Sequence, residues 1–230
     1  MTGNITTAAD RTPGAAVGST RALLICGIIA GPLYILVVVL QMLTRDGYDI
    51  SRHPASMLSN GDQGWIQIAN FAVSGLLFVA GAIGLRRVLG PAAGRGGTWG
   101  PRLIGVFGAG MVAAGVFSAD PADGFPPGTP AGTPTTISGH AMAHFLVAGV
   151  AFLALIAACF VFARRFAAAN QRGWATFSRA TGVFFLLSWM SIFVLQGARP
   201  ANVTFALAIG LVLAWTSLLA KHWLTRPRIG

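Results

Sequence analysis

The chain has 230 residues, 54% of them hydrophobic and only 10% charged, with no glutamate, a single lysine and a mean hydropathy of +0.68. A chain this apolar excludes an ordinary water-soluble domain and belongs in a bilayer. The formal charge of +10 does not point to nucleic acid, because no basic run is interleaved with the aromatic residues on which bases stack.

Residues 1–20 are rich in Thr, Ala and Gly and have neither an apolar core nor a cleavage signal, so they read as a disordered cytoplasmic tail. Between 21 and 226 the sequence carries apolar stretches at 21–43, 64–87, 102–119, 139–163, 177–197 and 201–223, and it closes with a short cytoplasmic end at 227–230. Each stretch matches the roughly 20 residues that a helix needs to cross the hydrocarbon layer. The stretches are continuous rather than alternating, and an open sheet leaves its backbone unsatisfied in lipid, so strands are excluded. The expected fold is all-α, a polytopic transmembrane bundle of six helices. Pro32 after Gly31 is expected to bend the first of them.

Charges between the stretches sort by sign. Arg11 and Arg21 precede the first; Arg86, Arg87, Arg95 and Arg102 lie between the second and third; Arg164, Arg165, Arg172 and Arg179 lie between the fourth and fifth; Lys221, Arg226 and Arg228 close the chain. The acids Asp46, Asp49, Asp62, Asp120 and Asp123 fall in the intervening loops. By the positive-inside rule both termini and the arginine-rich loops are cytoplasmic, giving a multi-pass protein of the cell membrane whose acidic loops face outward. The arginines suit anionic headgroups, so membrane lipids are expected partners. Cys26 and Cys159 then sit toward the cytoplasm, where a structural disulfide is not expected.

Two patterns bear on packing. Gly27 with Gly31, Gly81 with Gly84, and Gly105, Gly108, Gly110 and Gly115 approach the small-residue spacing that brings membrane helices into close contact. The second and fourth helices also share a motif, Asn70-Phe71 through Gly75 and Phe78 against His144-Phe145 through Gly149 and Phe152. It suggests three related helical hairpins with Asn70, His144 and Asn202 at equivalent positions.

Polar groups in hydrocarbon cost free energy unless partnered, so their depth is informative. Gln41, Gln67, Asn70, Ser74, His140, His144, Gln196 and Asn202 all fall in the expected outer half, while the inner half is nearly bare of such groups. The outer loops add His53, Ser56, Asp120 and Asp123. His140 and His144 lie one turn apart on one helical face, where both imidazoles can reach one ion or one substrate group. Three readings of the pair stay open. With His53 and Asp120 they would complete the ligand set of a divalent metal such as zinc; they would cap a helix end on loop carbonyls; or they would transfer protons without a metal. His222, beside Lys221, reads as an interfacial residue.

The segments Arg52-His53-Pro54-Ala55-Ser56-Met57-Leu58, Gly64-Trp65-Ile66-Gln67, Asn70-Phe71, Asp120-Pro121, Gly124-Phe125-Pro126-Pro127-Gly128-Thr129-Pro130 and Gly139-His140-Ala141-Met142-Ala143-His144-Phe145 together resemble the bacterial domain-of-unknown-function 998 family. That resemblance covers nearly all of the chain from about residue 21, implies a six-helix integral membrane protein, and implies no activity. In kind of residue, Ser56, His53, Asp120, His140 and His144 are also similar to the equipment of the alkaline ceramidase and adiponectin-receptor type of intramembrane zinc hydrolases. This chain departs from that type in having six spans, not seven, and His53 in a loop.

The expected function is a membrane-embedded enzyme that hydrolyses or cyclises a lipid-like or isoprenoid-like small molecule at an outer polar pocket. His140, His144, Asp120, His53 and Ser56 are the candidate catalytic residues, Trp65, Gln67, Asn70 and Asp123 the candidate substrate contacts, and His140 and His144 the candidate metal ligands. A small exporter of a hydrophobic compound and a non-catalytic membrane partner subunit are the alternatives.

Overall fold

The structure is a computed structural model that describes residues 13–90, 94–132 and 134–226. It contains six α-helices, α1 (Pro13–Thr44), α2 (Gly64–Leu89), α3 (Gly94–Val116), α4 (Gly139–Ala168), α5 (Arg172–Val194) and α6 (Arg199–Leu224), with a 3-10 turn at Ala55–Ser59. No strand occurs among the described residues. Every helix contains a span long and apolar enough to cross a membrane.

The helices overrun their apolar stretches. α1 starts at Pro13, inside the segment expected to be a disordered tail, and α3 starts at Gly94 and carries Pro101 within it. Hydropathy marks only the part that lies in hydrocarbon, whereas the i to i−4 bonding of a helix continues into the interface until the sequence stops it. α2 stops at Gly90, whose φ of +68° lets its amide return to the Arg86 carbonyl at 3.1 Å. α4 opens on Ser138, whose hydroxyl accepts the Ala141 amide at 3.0 Å. Pro32 is accommodated inside a continuous α1. Most of the expected tail and the end at 227–230 lie outside the described residues.

Each helix packs against its neighbours in sequence, and α6 returns to pack against α1, so the six form a closed ring. Glycines set several of the contacts. A Cβ on Gly81 would fall 2.5 Å from the Gly27 Cα of α1, and one on Gly75 or Gly108 would fall 2.6 Å from the other's carbonyl oxygen across the α2–α3 contact. Large rings cross the interior. Phe152 of α4 meets Phe205 of α6 at 5.7 Å, and Phe162 of α4 meets Trp215 of α6 at 5.9 Å, although α5 stands between those helices in the ring. The interior is a packed core, not a pore.

Outward, the surface is apolar. Leu36, Leu43, Leu76, Leu146, Leu187 and Leu207 are all more than half exposed, and only 28% to 50% of each span is buried inside the molecule. An apolar belt of that extent has no place in water.

At one end, α1, α3 and α5 finish and α2, α4 and α6 begin; it carries Asp46, Asp49, Asp62, Asp120 and Asp123 and is called the acidic end. The opposite, basic end carries arginines and, among the described residues, no acid.

Two expectations change on inspection of the interior. Buried hydroxyls are not confined to the acidic half: Ser178, Thr181, Thr216 and Ser217 are buried toward the basic end. Thr216 and Ser217 bond locally to the Leu213 carbonyl at 2.6 and 3.2 Å, Ser178 accepts from Trp215 Nε1 of α6 at 3.0 Å, and the Thr181 hydroxyl has no partner among the described residues. The sequence repeat is also not a repeat of packing. Asn70, His144 and Asn202 are all buried, yet Phe71 is buried while its counterpart Phe145 is 57% exposed.

Candidate functional site

At the acidic end the 45–63 segment folds over the ring and is fastened at several points. His53 is 0% exposed. Its Nδ1 accepts the Asp49 amide at 3.0 Å, which makes Nε2 the protonated nitrogen, and Nε2 donates to the Asp123 carbonyl at 3.0 Å. Both ring nitrogens are therefore engaged within the loops. Tyr48 donates to the His53 carbonyl at 2.8 Å, and Tyr48 and His53 both pack on the fully buried Phe125. Burial pushes the Tyr48 phenol up from its ordinary value.

Arg52 grips Asp123 with two parallel bonds, Nε to Oδ2 at 2.9 Å and Nη2 to Oδ1 at 2.7 Å, and Nη2 also reaches the Asp123 carbonyl. That grip holds the Asp123 carboxyl down to about 2. Arg45 donates to the Leu58 and Asn60 carbonyls at 3.0 and 2.7 Å and lies 5.1 Å from the Phe125 ring centroid. From α6, Asn202 Nδ2 reaches the Ser51 carbonyl at 3.1 Å and the Gly197 carbonyl at 2.8 Å. Loop 45–63, loop 117–132 and the start of α6 thus form one cap.

A second cluster sits where α3 ends and α4 begins. The Ser138 amide donates to Asp120 Oδ2 at 2.8 Å, and hydrogen bonding from Ser138 keeps the Asp120 carboxyl below its usual range, with the nearby His140 adding to the effect. His140 is exposed, its ring 5.8 Å from that of Phe117. His144, one turn deeper and 3% exposed, places Nδ1 2.7 Å from the Phe117 carbonyl and 3.3 Å from that of Ala114. Both partners are acceptors, so Nδ1 carries the proton and caps the carbonyls left open at the end of α3. In the neutral ring, Nε2 then presents a lone pair, and no described residue hydrogen-bonds to it.

A third group lies deeper, between α1 and α2. Gln41 Nε2 donates to Gln67 Oε1 at 2.8 Å, Asn70 Nδ2 donates to the same oxygen at 3.2 Å, and Ser74 Oγ donates to Asn70 Oδ1 at 3.2 Å. Gln67 and Asn70 also reach the hydroxyl and carbonyl of Tyr34, at 3.4 and 3.2 Å. The chain ends in an unpaired buried acceptor, Gln41 Oε1.

The structure brings together Arg52, His53 and Asp123 in the cap, Asp120 with His140 and His144 at the α3–α4 junction, and Gln67 with Asn70 in the amide chain. The four-residue metal set of His53, Asp120, His140 and His144 does not assemble. Among the described residues no three His, Cys, Asp or Glu side chains come close enough to hold a metal ion. His53 is drawn away into the cap by Asp49 and Asp123, which use both of its nitrogens. Ser56 is half-buried in the 3-10 turn, and Trp65 is 67% exposed on the outer rim of α2, as suits an interfacial aromatic. Sequence reasoning did not foresee the Arg52–Asp123 grip, the reach of Asn202 across to the 51–52 backbone, or Tyr34 in the amide chain.

Six bilayer-length helices in a closed ring, with a polar cap at one end and arginines at the other, define a membrane-type six-helix protein. Residues 28–223 match the family described as "Protein of unknown function (DUF998)", and the chain belongs to that family. No curated protein and no solved structure matches it.

Proposed function

We propose that this protein is a membrane enzyme that works by acid–base chemistry on the polar group of a lipid-like or isoprenoid-like substrate, at the junction of α3 and α4 on its acidic end. By the positive-inside rule that end is extracytoplasmic and both termini are cytoplasmic. The observation that carries the reading is the pair of carbonyls around His144 Nδ1. Phe117 and Ala114 can only accept there, so Nδ1–H donates to them and Nε2 keeps a lone pair with no partner among the described residues, the arrangement of a general base.

His140, one turn nearer the surface and beside the ionised Asp120, is the proton donor. In hydrolysis His144 Nε2 takes a proton from water as the oxygen attacks, and protonated His140 returns one to the leaving oxygen. In cyclisation the same pair delivers and removes a single proton. A metal is given no step, since the residues present do not offer it three ligands in one place. The interior crossed by Phe152–Phe205 and Phe162–Trp215 is why we favour chemistry over transport.

The test is His144→Asn in vesicles that contain phosphatidylethanolamine, phosphatidylglycerol and a polyprenyl diphosphate, with products read by mass spectrometry. Asn keeps an amide donor for the Phe117 carbonyl but has no base at the Nε2 position. Turnover falls by about a hundredfold or more, the contribution of a positioned general base, while the melting temperature holds. Unchanged turnover in the variant, or no product from the parent protein on any of these lipids, refutes the proposal.

A further inference from the structure

The basic end holds a cavity of about 570 Å³ between the start of α3 and the end of α4, lined by Arg95, Gly96, Trp99, Val161, Arg164 and Arg165. A second, of about 420 Å³, adjoins it through Val161 and Arg164 and adds Phe160, Ala163 and Arg179. Among the described residues no acid lies at the basic end to balance its charge, and Arg95, Arg164 and Arg179 have no hydrogen-bond or ion-pair partner there. Trp99, 50% exposed, stands in the lining with Arg102 over its ring at 5.5 Å. The first turn of α3, whose free amides favour negative charge, opens into the same space at Gly96.

What occupies the cavity is indicated by the face of α4 that leads to it. Leu146, Val150, Leu153 and Phe160 are exposed at spacings of four, three and seven residues, so they line one side of the helix, and Arg164 continues the same line one turn further. An acyl chain lying along that stripe delivers its headgroup to Arg164. A free phosphate has no use for the stripe. Guanidinium groups match phosphate oxygens in pairs, and an indole ring sits well at headgroup depth.

We propose that the α3–α4 cavity at the basic end is a binding site for the phosphate headgroup of an anionic lipid, held by Arg95, Arg164 and Arg165 with Trp99 at its side. This site is separate from the histidines of the acidic end and does not depend on their chemistry.

Native mass spectrometry of the detergent-purified protein, titrated with phosphatidylglycerol and in parallel with phosphatidylcholine, tests it. Phosphatidylglycerol binds and phosphatidylcholine does not compete. Arg95→Ala and Arg164→Ala each weaken binding about fivefold, the share of one arginine at a membrane surface. Arg172→Ala removes the same charge at the same end outside the cavity and leaves binding unchanged. Arg95 and Arg164 are exposed, so their removal opens no gap in the core. Equal losses in all three variants would mean diffuse attraction and overturn the site. Displacement of the lipid by inorganic phosphate would overturn its assignment to a lipid.

Discussion

Arg45 and Arg52 at the acidic end of the ring and Arg95, Arg164 and Arg179 at the basic end are used in opposite ways, although Arg86 at the basic end also closes on a backbone carbonyl, that of Gly90. At the acidic end Arg52 is closed on Asp123 and Arg45 on two backbone carbonyls, so the guanidinium groups are consumed in building a cap. At the basic end Arg95, Arg164 and Arg179 line cavities with no acid to meet them among the described residues. A cation neutralised inside the fold serves structure, whereas a cation left without a counter-charge at headgroup depth is available to a ligand from outside. Charge sorting, usually read only as a topological signal, here also divides a structural end from a receptive one.

That contrast breaks most readily at His53. His53→Ala empties a fully buried site, orphans the Asp49 amide and leaves the Asp123 carbonyl with Arg52 as its one remaining donor, which costs about 2–4 kcal/mol. The melting temperature should drop and amide exchange through 45–63 should rise, with lipid binding at the basic end untouched; an unaltered melt would show that the cap does not depend on this imidazole.

Acid provides a gentler probe of the same cap. Asp123 has a folded-state value of about 2, held there chiefly by Arg52, below the roughly 3.9 of a free aspartate. A lowered value means that its stabilising grip is complete above the free value and is lost as pH falls through the folded one. Exchange protection in 123–132 should therefore persist at pH 4 and fade toward pH 2, and Asp123→Asn should remove that dependence. Because the pair is about a third exposed, screening keeps the effect modest. Fading centred at pH 4 would mean that the grip does not form in solution.

The smallest effect belongs to the basic end. Arg179→Ala removes an exposed side chain with no partner among the described residues and should alter stability by no more than about 0.5 kcal/mol. A larger loss on thermal melting would show that this arginine, too, is part of the fold.

Much of the architecture was legible beforehand. Six spans, the exclusion of strands and glycine faces suited to close helix packing follow from hydropathy and residue size, which act over a few neighbouring positions, whereas the meeting of Gly27 with Gly81 does not. The candidate site was legible only in part. The i, i+4 spacing put His140 and His144 on one face. Nothing local indicated that Asp49 and Asp123 would occupy both nitrogens of His53, because those bonds join His53 to a residue 70 positions away as well as to one in its own turn.

By itself, then, the amino-acid order determined where the chain is apolar, how many times it can cross a bilayer, and at which end each sign of charge collects. Those properties depend on local composition and on the thickness of the hydrocarbon layer. Only the tertiary structure decided that α6 closes on α1, that aromatic rings from α4 and α6 fill the centre, and that His53 joins the cap while His144 turns to the carbonyls of α3. Closing a ring and choosing a hydrogen-bond partner are settled by which surfaces meet after the helices pack, and helical periodicity places a side chain on a face without naming what it will face.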